Sequence, residues 1–192
     1  MLTRENVIKT NSIKDHNGFI FEELPNIPKI NLRGSSNDKQ FIQNVEKISD
    51  TLVPTEPNTN NSNNKLKIIW LSPNEWLIEI PDIRHFNKIL LNLKDSLNSQ
   101  NTAITDVTEN KTILKLSSPN LYKLLSKFMI IDLHKAMNKE NSVAQTIFIK
   151  VPVLIIRNHK ENEKQSLYLH TNRSHAQYII DLLIDGSQNI NF

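Results

Sequence analysis

The chain has no cysteine, and that one absence removes several chemistries together. Disulfides, thiolate metal centres, iron–sulfur ligation and cysteine nucleophiles all require the thiol. A reducing compartment fits this composition, and the cytoplasm is the expected location. Glycine is scarce as well, at 3 residues in 192. Gly18, Gly34 and Gly186 stand alone, so no glycine-rich loop is available to cradle a phosphate and no serine is bracketed as a nucleophile elbow. No apolar run approaches the roughly 18 residues of a membrane span. The first twenty residues carry Asp15, His16 and Asn17 where a secretory signal would place its apolar stretch. The six histidines include no pair four apart on one helix, the spacing of a zinc site, so no metal is expected. The 23 basic and 20 acidic residues leave a net charge of +3 with no dense basic block or stacking module, which argues against a nucleic-acid partner.

What is present reads as an ordinary globular chain, 38 % hydrophobic and 22 % charged. Its length suits one domain or two small lobes sharing a core. Residues 1–31, broken by Pro25 and Pro28, read as an extended N-terminal arm, either loose or docked on a partner. In 38–49, Phe41, Ile42, Val45 and Ile48 recur at helical spacing behind possible caps Ser35 and Ser36. The Pro- and Asn-rich stretch 54–64 can bury little and is expected to be an exposed, mobile loop.

Two apolar runs, 66–71 and 75–80, flank Ser72-Pro73-Asn74 and predict a strand hairpin. Asp82 can cap a helix whose stripe is Ile83, Phe86, Ile89, Leu90, Leu93 and Leu97. Stretches 103–107 and 112–116 read as another strand pair. Ser118-Pro119 opens a helix with Leu121, Leu124, Leu125 and Phe128 inward. Strands at 144–150, 151–157 and 166–171 precede a last helix that starts near Ser174 and ends at Gly186. The hairpin-rich alternation, with few long crossovers, predicts an α+β fold with mostly antiparallel sheets. A weak repeat of strand pair and helix suggests two small α/β lobes, about 32–117 and 118–192.

Several motifs, in their order, resemble the gamma subunit of heterotetrameric sarcosine oxidase. The first is Leu32-Arg33-Gly34. The most distinctive is Trp70-Leu71-Ser72-Pro73-Asn74-Glu75-Trp76-Leu77, similar to the family's Trp-Leu-Gly-Pro-Asp-Glu-Trp-Leu with Ser72 and Asn74 departing from it. Asp106-Val107-Thr108 resembles an Asp-Val-Ser element, Asp132-Leu133 an Asp-Leu pair, and Ala144-Gln145-Thr146 an Ala-x-Thr element. Arg173-Ser174-His175-Ala176 resembles Arg-Ser-Phe-Ala, with His175 in place of the aromatic residue. The resemblance covers about 32–184 and defines a gamma-like domain over 32–192. It implies a fold related to the folate-binding aminomethyltransferases of glycine cleavage. It also implies an enzyme of four different subunits that demethylates sarcosine to glycine, produces hydrogen peroxide and passes the one-carbon unit to tetrahydrofolate. FAD, FMN, NAD, tetrahydrofolate and zinc would belong to the alpha, beta and delta partners. This chain would hold no cofactor and serve assembly.

The individual residues leave open alternatives. Trp70 and Trp76 can stack a planar ligand or fill the core, and their large area with a single donor favours the core. Glu75 can act as an acid or as a hydrogen-bonded structural group beside the turn. Arg33 suits a bidentate pair across a subunit boundary or a solvated surface. Asp106 is the most tempting catalytic group, yet a strand-end aspartate also caps turns. Arg173 and Ser174 can bind an anion or cap the last helix. A catalytic reading, an independent folate-binding or aminomethyl-transferring protein, needs Asp106 or Glu75 in a pocket with perturbed acidity.

Overall fold

The structure, a computed structural model, describes residues 6–8 and 13–188. In chain order the elements are β1 (Ile13–His16), β2 (Phe19–Glu23), β3 (Lys29–Arg33), α1 (Lys39–Ser49), β4 (Asn60–Ser62), β5 (Lys67–Ser72) and β6 (Glu75–Glu79). Then come α2 (Ile83–Ser96), β7 (Ala103–Asp106), β8 (Lys111–Ser117), α3 (Leu121–Leu125), α4 (Leu133–Ala136), β9 (Val143–Phe148), β10 (Val151–Arg157), β11 (Ser166–Asn172) and α5 (Ala176–Ser187). A single 3-10 turn, Arg173–His175, leads into α5. The expected mixed α and β architecture with antiparallel sheets is what the chain adopts.

The chain forms two compact units, one from Ile27–Thr108 and the other from Met1–Asn26 with Glu109–Phe192. The division therefore differs from lobes at 32–117 and 118–192. The reason is β2: its alternating pattern buries Phe19 and Phe21 and pairs it with β8, so the N-terminal segment belongs with the C-terminal half. For the same reason part of the expected arm is sheet. Its residues 1–5 and 9–12 lie outside the described residues.

The Ile27–Thr108 unit holds a five-stranded antiparallel sheet in the order β4-β5-β6-β3-β7. Ile30 and Leu32, Ile68, and Trp76 and Ile78 alternate onto one face and form a core with α1 and α2. On α1, Phe41 and Val45 stand four apart and point into it; on α2, Phe86, Ile89 and Leu93 do the same. The cap of α1 is Asp38, whose Oδ1 accepts the Gln40 and Phe41 amides at 2.9 and 3.1 Å. It displaces Ser35 and Ser36, which lie too far before the first turn to reach those amides. Asp82 caps α2 as expected, accepting the Arg84 amide at 2.7 Å. Within the stripe predicted for α2, Ile83 alone is well exposed, at 57 %.

The Asn-rich stretch 54–64 is partly buried and tied down, not an open loop. Pro54, Thr59 and Asn60 are buried and β4 pairs with β5. The asparagine amides satisfy carbonyls at and after the end of α1: Asn61 Nδ2 donates to Leu52 O, and Asn63 Nδ2 to Ser49 O and Asp50 O.

The other unit holds a six-stranded antiparallel sheet in the order β1-β2-β8-β11-β10-β9. Its core gathers Phe19, Phe21, Leu114, Leu116, Phe148, Ile155, Leu167 and Leu169 with Leu121, Leu124 and Leu125 of α3 and Ile179, Ile180 and Leu183 of α5. β7 and β8, expected to pair with each other, do not: β7 pairs with β3 and β8 with β2 and β11. The chain passes from one unit to the other at Thr108 and Glu109 between them. α4 carries no long periodic signal and was not anticipated. Gly186 lies inside α5 and does not end it; its role is close approach, since a methyl there would overlap the Phe128 ring.

Candidate functional site

Five of the family-motif residues fall in the Ile27–Thr108 unit, where β3 and β6 run side by side. The register sets Arg33 opposite Glu75 and Leu32 opposite Trp76. Arg33 Nη2 lies 3.1 Å from Glu75 Oε2, and Asn31 Nδ2 donates to Glu75 Oε1 at 2.7 Å. Asn31, Arg33 and Glu75 are i and i+2 or cross-strand neighbours, so they share the sheet face opposite the helical core. The carboxylate is about one-fifth exposed and the guanidinium more than half exposed. Glu75 is thus held from both sides on β3 and Arg33 offers its outer edge to solvent.

The turn before Glu75 is equally fixed. Ser72 Oγ donates to Asn74 Oδ1 at 2.7 Å, and the Gly34 amide donates to Asn74 O at 3.1 Å. A register shift between Trp70 and Ser72 makes room for the turn. Gly34 is required by close approach: an added methyl would overlap the Phe41 ring. An open surface cleft of about 640 Å³ lies over this arrangement, lined among others by Arg33, Ser35, Ser36, Asn37, Asn74 and Asn101. Its donors and acceptors suit a carboxylate or backbone groups of a docking polypeptide.

The tryptophans take the packing role. Trp76 is fully buried, its Nε1 donates to Pro54 O at 2.8 Å, and its ring meets Phe41 at 5.6 Å between centroids. Trp70 lies opposite it on β5, partly buried against the same core. Trp76 is enclosed and offers no free face for a planar ligand, and Trp70 leans on the core. Asp106 ends β7, is exposed, and accepts the Thr108 amide at 2.9 Å, a turn-capping arrangement. In the other unit, Asp132 caps α4 by accepting the Lys135 amide at 3.2 Å. Arg173 Nη1 lies 3.5 Å from Glu109 Oε2, and the Arg173 amide donates to Asn110 O. Ser174 is exposed in the 3-10 turn, and the N-cap position of α5 falls on His175, whose side chain makes no capping bond.

Sequence reasoning missed two features. Asn31, which orients Glu75, carries no motif, although its position two before Arg33 on a strand is the signal that it shares that face. Glu79 was missed too. It is buried on β6 between register partners Lys29 of β3 and Lys67 of β5. Burial raises its pKa above the ordinary carboxylate value, and the two lysines oppose that rise. Lys29 is itself buried and donates from Nζ to Ile27 O at 2.7 Å. Alternation from Glu75 through Leu77 places Glu79 on the sheet side that carries Lys29, Asn31 and Arg33. Among the described residues no group of three or more His, Asp or Glu stands close enough to hold a metal ion.

Two antiparallel sheets backed by short helices, with a rigid polar turn at an open cleft, define an α+β chain of the kind found in sarcosine oxidase and aminomethyltransferase structures. A chain of the heterotetrameric sarcosine oxidase from Corynebacterium sp. U-96 superposes with a TM-score of 0.76 at 18 % identity, over 92 % of this chain and 87 % of that one. The glycine cleavage system aminomethyltransferase T from Bartonella henselae gives 0.58 at 10 % identity, over 85 % of this chain and 45 % of that one. At these identities the likeness is one of fold. Residues 33–189 match the sarcosine oxidase, gamma subunit family, and the chain belongs to it. The sarcosine oxidase subunit gamma of Corynebacterium sp. (strain P-1) is 27 % identical over 119 residues, 62 % of this chain and 55 % of that protein. That of strain U-96 is 27 % identical over 120 residues. The matched stretch spans about half the length of these curated relatives.

Proposed function

We propose that this chain is the non-catalytic assembly subunit of a heterotetrameric sarcosine oxidase. The complex would demethylate sarcosine to glycine, produce hydrogen peroxide and pass the one-carbon unit to tetrahydrofolate. FAD, FMN, NAD, tetrahydrofolate and zinc would sit in the alpha, beta and delta partners, and the assembly would work in the cytoplasm. One observation supports the assembly role: the family-motif groups are engaged in local structural bonds. Glu75 is bound by Arg33 and Asn31, Trp76 by Pro54, Asp106 by Thr108 and Asp132 by Lys135. Groups held this way position a surface; they are poorly placed to exchange protons with a substrate. The exposed edge of Arg33 and the open cleft beside it suit a carboxylate from a larger subunit.

The test is co-expression with the large subunits encoded beside this chain, followed by size-exclusion chromatography and a peroxide assay with sarcosine. Co-elution, with activity that falls when this chain is omitted, is the expected result. Elution alone as a monomer that binds tetrahydrofolate by calorimetry would replace the assembly role with that of an independent folate-binding protein.

A further inference from the structure

The ladder between β10 and β11 ends on a side chain. Its last register pair is Arg157 with Leu167, and beyond it the Asn158 amide donates to Ser166 O at 3.0 Å. The return bond of such an antiparallel pair would run from the Ser166 amide to Asn158 O. Instead the Ser166 amide donates to His159 Nδ1 at 3.2 Å, so an imidazole nitrogen takes the place of a ladder carbonyl. The same nitrogen lies 2.9 Å from Ser166 O. It cannot accept from the amide and donate to the carbonyl at once. A bare Nδ1 serves the amide. A protonated Nδ1 serves the carbonyl and sets two hydrogens against each other along the line to the Ser166 nitrogen.

A cation is already fixed beside this ring. Arg157 Nε donates to His159 O at 3.0 Å and its Nη1 to Met137 O at 3.0 Å, which pins the guanidinium between the β10–β11 turn and the end of α4. The other titratable groups set around His159 are Tyr122 of α3 and His134 of α4. The Tyr122 ring meets the His159 ring at 6.0 Å and the His134 ring at 5.1 Å, edge-on in both cases. Burial raises the Tyr122 phenol above its ordinary value, so it supplies no negative charge. On the turn itself Lys160, Glu161, Glu163 and Lys164 are exposed, two of each sign. A proton on His159 therefore adds a second positive charge next to Arg157.

The bond is tied to α3 through Gln165, the residue before Ser166. Its carbonyl accepts the Ser118 amide at 3.0 Å, and its Oε1 accepts the Tyr122 amide at 2.9 Å. These amides open α3, whose own N-cap residue Asn120 makes no side-chain capping bond. A displacement of Ser166 therefore moves the acceptors on which the first turn of α3 depends.

We propose that His159 is an acid-sensitive clasp. Neutral, it holds the start of β11 through the Ser166 amide and, through Gln165, the first turn of α3; protonated at Nδ1, it releases both. The proposal goes beyond the assembly role and does not depend on it. The test uses the full chain. Long-range proton–nitrogen NMR should show the neutral His159 ring protonated at Nε2 and bare at Nδ1. Protection of the Ser166 amide, corrected for the intrinsic pH dependence of exchange, should fall about fivefold or more between about pH 8 and about pH 5, with Ser118 and Tyr122 following. His159→Asn sets an amide oxygen near the place of Nδ1 and does not titrate, so it should keep these amides protected throughout. A neutral ring protonated at Nδ1 would overturn the proposal, and that measurement needs no variant. Protection that stays flat with pH in the wild type, or a loss confined to Ser166, would overturn it too. An equal fall in His159→Asn would assign the change to His134 or another group and overturn the clasp.

Discussion

Replacing Gly34 by alanine tests how the Arg33–Glu75 turn is held. A methyl at Gly34 would overlap the Phe41 ring at its Cε2 and Cζ atoms and stand 2.9 Å from Cδ2. The ring cannot retreat freely, because Trp76 lies against it at 5.6 Å and Phe41 is only 4 % exposed. Overpacking of this kind costs about 1–3 kcal/mol. In a unit of this size each kcal/mol lowers the thermal midpoint by about 4–8 °C. Both tryptophans of the chain, Trp70 and Trp76, lie in the Ile27–Thr108 unit, so intrinsic fluorescence follows this unit through urea or thermal unfolding.

A double-mutant cycle isolates the contact. Phe41→Ala alone leaves a cavity and costs about 3–5 kcal/mol. In the Gly34→Ala, Phe41→Ala pair the new methyl enters space the ring has left, so the pair should cost less than the two single changes together by about 1 kcal/mol or more. The Gly34 amide also donates to Asn74 O, so Gly34→Ala should displace the turn and weaken co-elution with the large subunits. A Gly34→Ala chain with an unchanged midpoint, or a cycle whose costs simply add, would refute the reasoning.

Trp76→Phe deletes the indole donor and leaves Pro54 O without it in a buried setting, for an expected loss of about 1–3 kcal/mol in urea unfolding followed by circular dichroism. Glu79→Gln should change how stability depends on pH. The folded chain holds the Glu79 proton more tightly than the unfolded chain, so in wild type this residue makes stability fall as pH rises from 4.5 through the raised folded value. The variant should lose that component, and identical pH slopes for the two proteins would contradict it. Arg33→Ala removes a pair that is mostly solvent-exposed and should cost only about 0.2–1 kcal/mol of stability, while reducing recovery of the assembled complex. A large stability loss with normal assembly would reverse that assignment.

The legibility of the fold follows the range of the forces that set it. The hairpin of β5 and β6 and the helix α2 were visible because period-two and three-to-four spacing, a turn and an Asp82 cap all act within a few residues. The pairing of β7 was not visible, because Asp106 meets Ile30 across 76 positions while the nearer β8 looks like its partner. β2 showed its alternation in Phe19, Phe21 and Glu23, but the prolines that follow suggested an arm. Only the distant strand β8 completes the sheet that makes those phenylalanines inward. The stretch 54–64 misled for a different reason: asparagine reads as solvent-loving, yet its amide can bind the open carbonyls at a helix end, as Asn63 does at Ser49 and Asp50.

The site was legible as a motif and illegible as a geometry. Trp70 to Leu77 declared itself by its composition, but the partner that orients Glu75 is Asn31, separated by 44 positions and marked by nothing except the strand register. Recovery of the complex, more than turnover, is the quantity to which the Gly34 and Arg33 substitutions should answer.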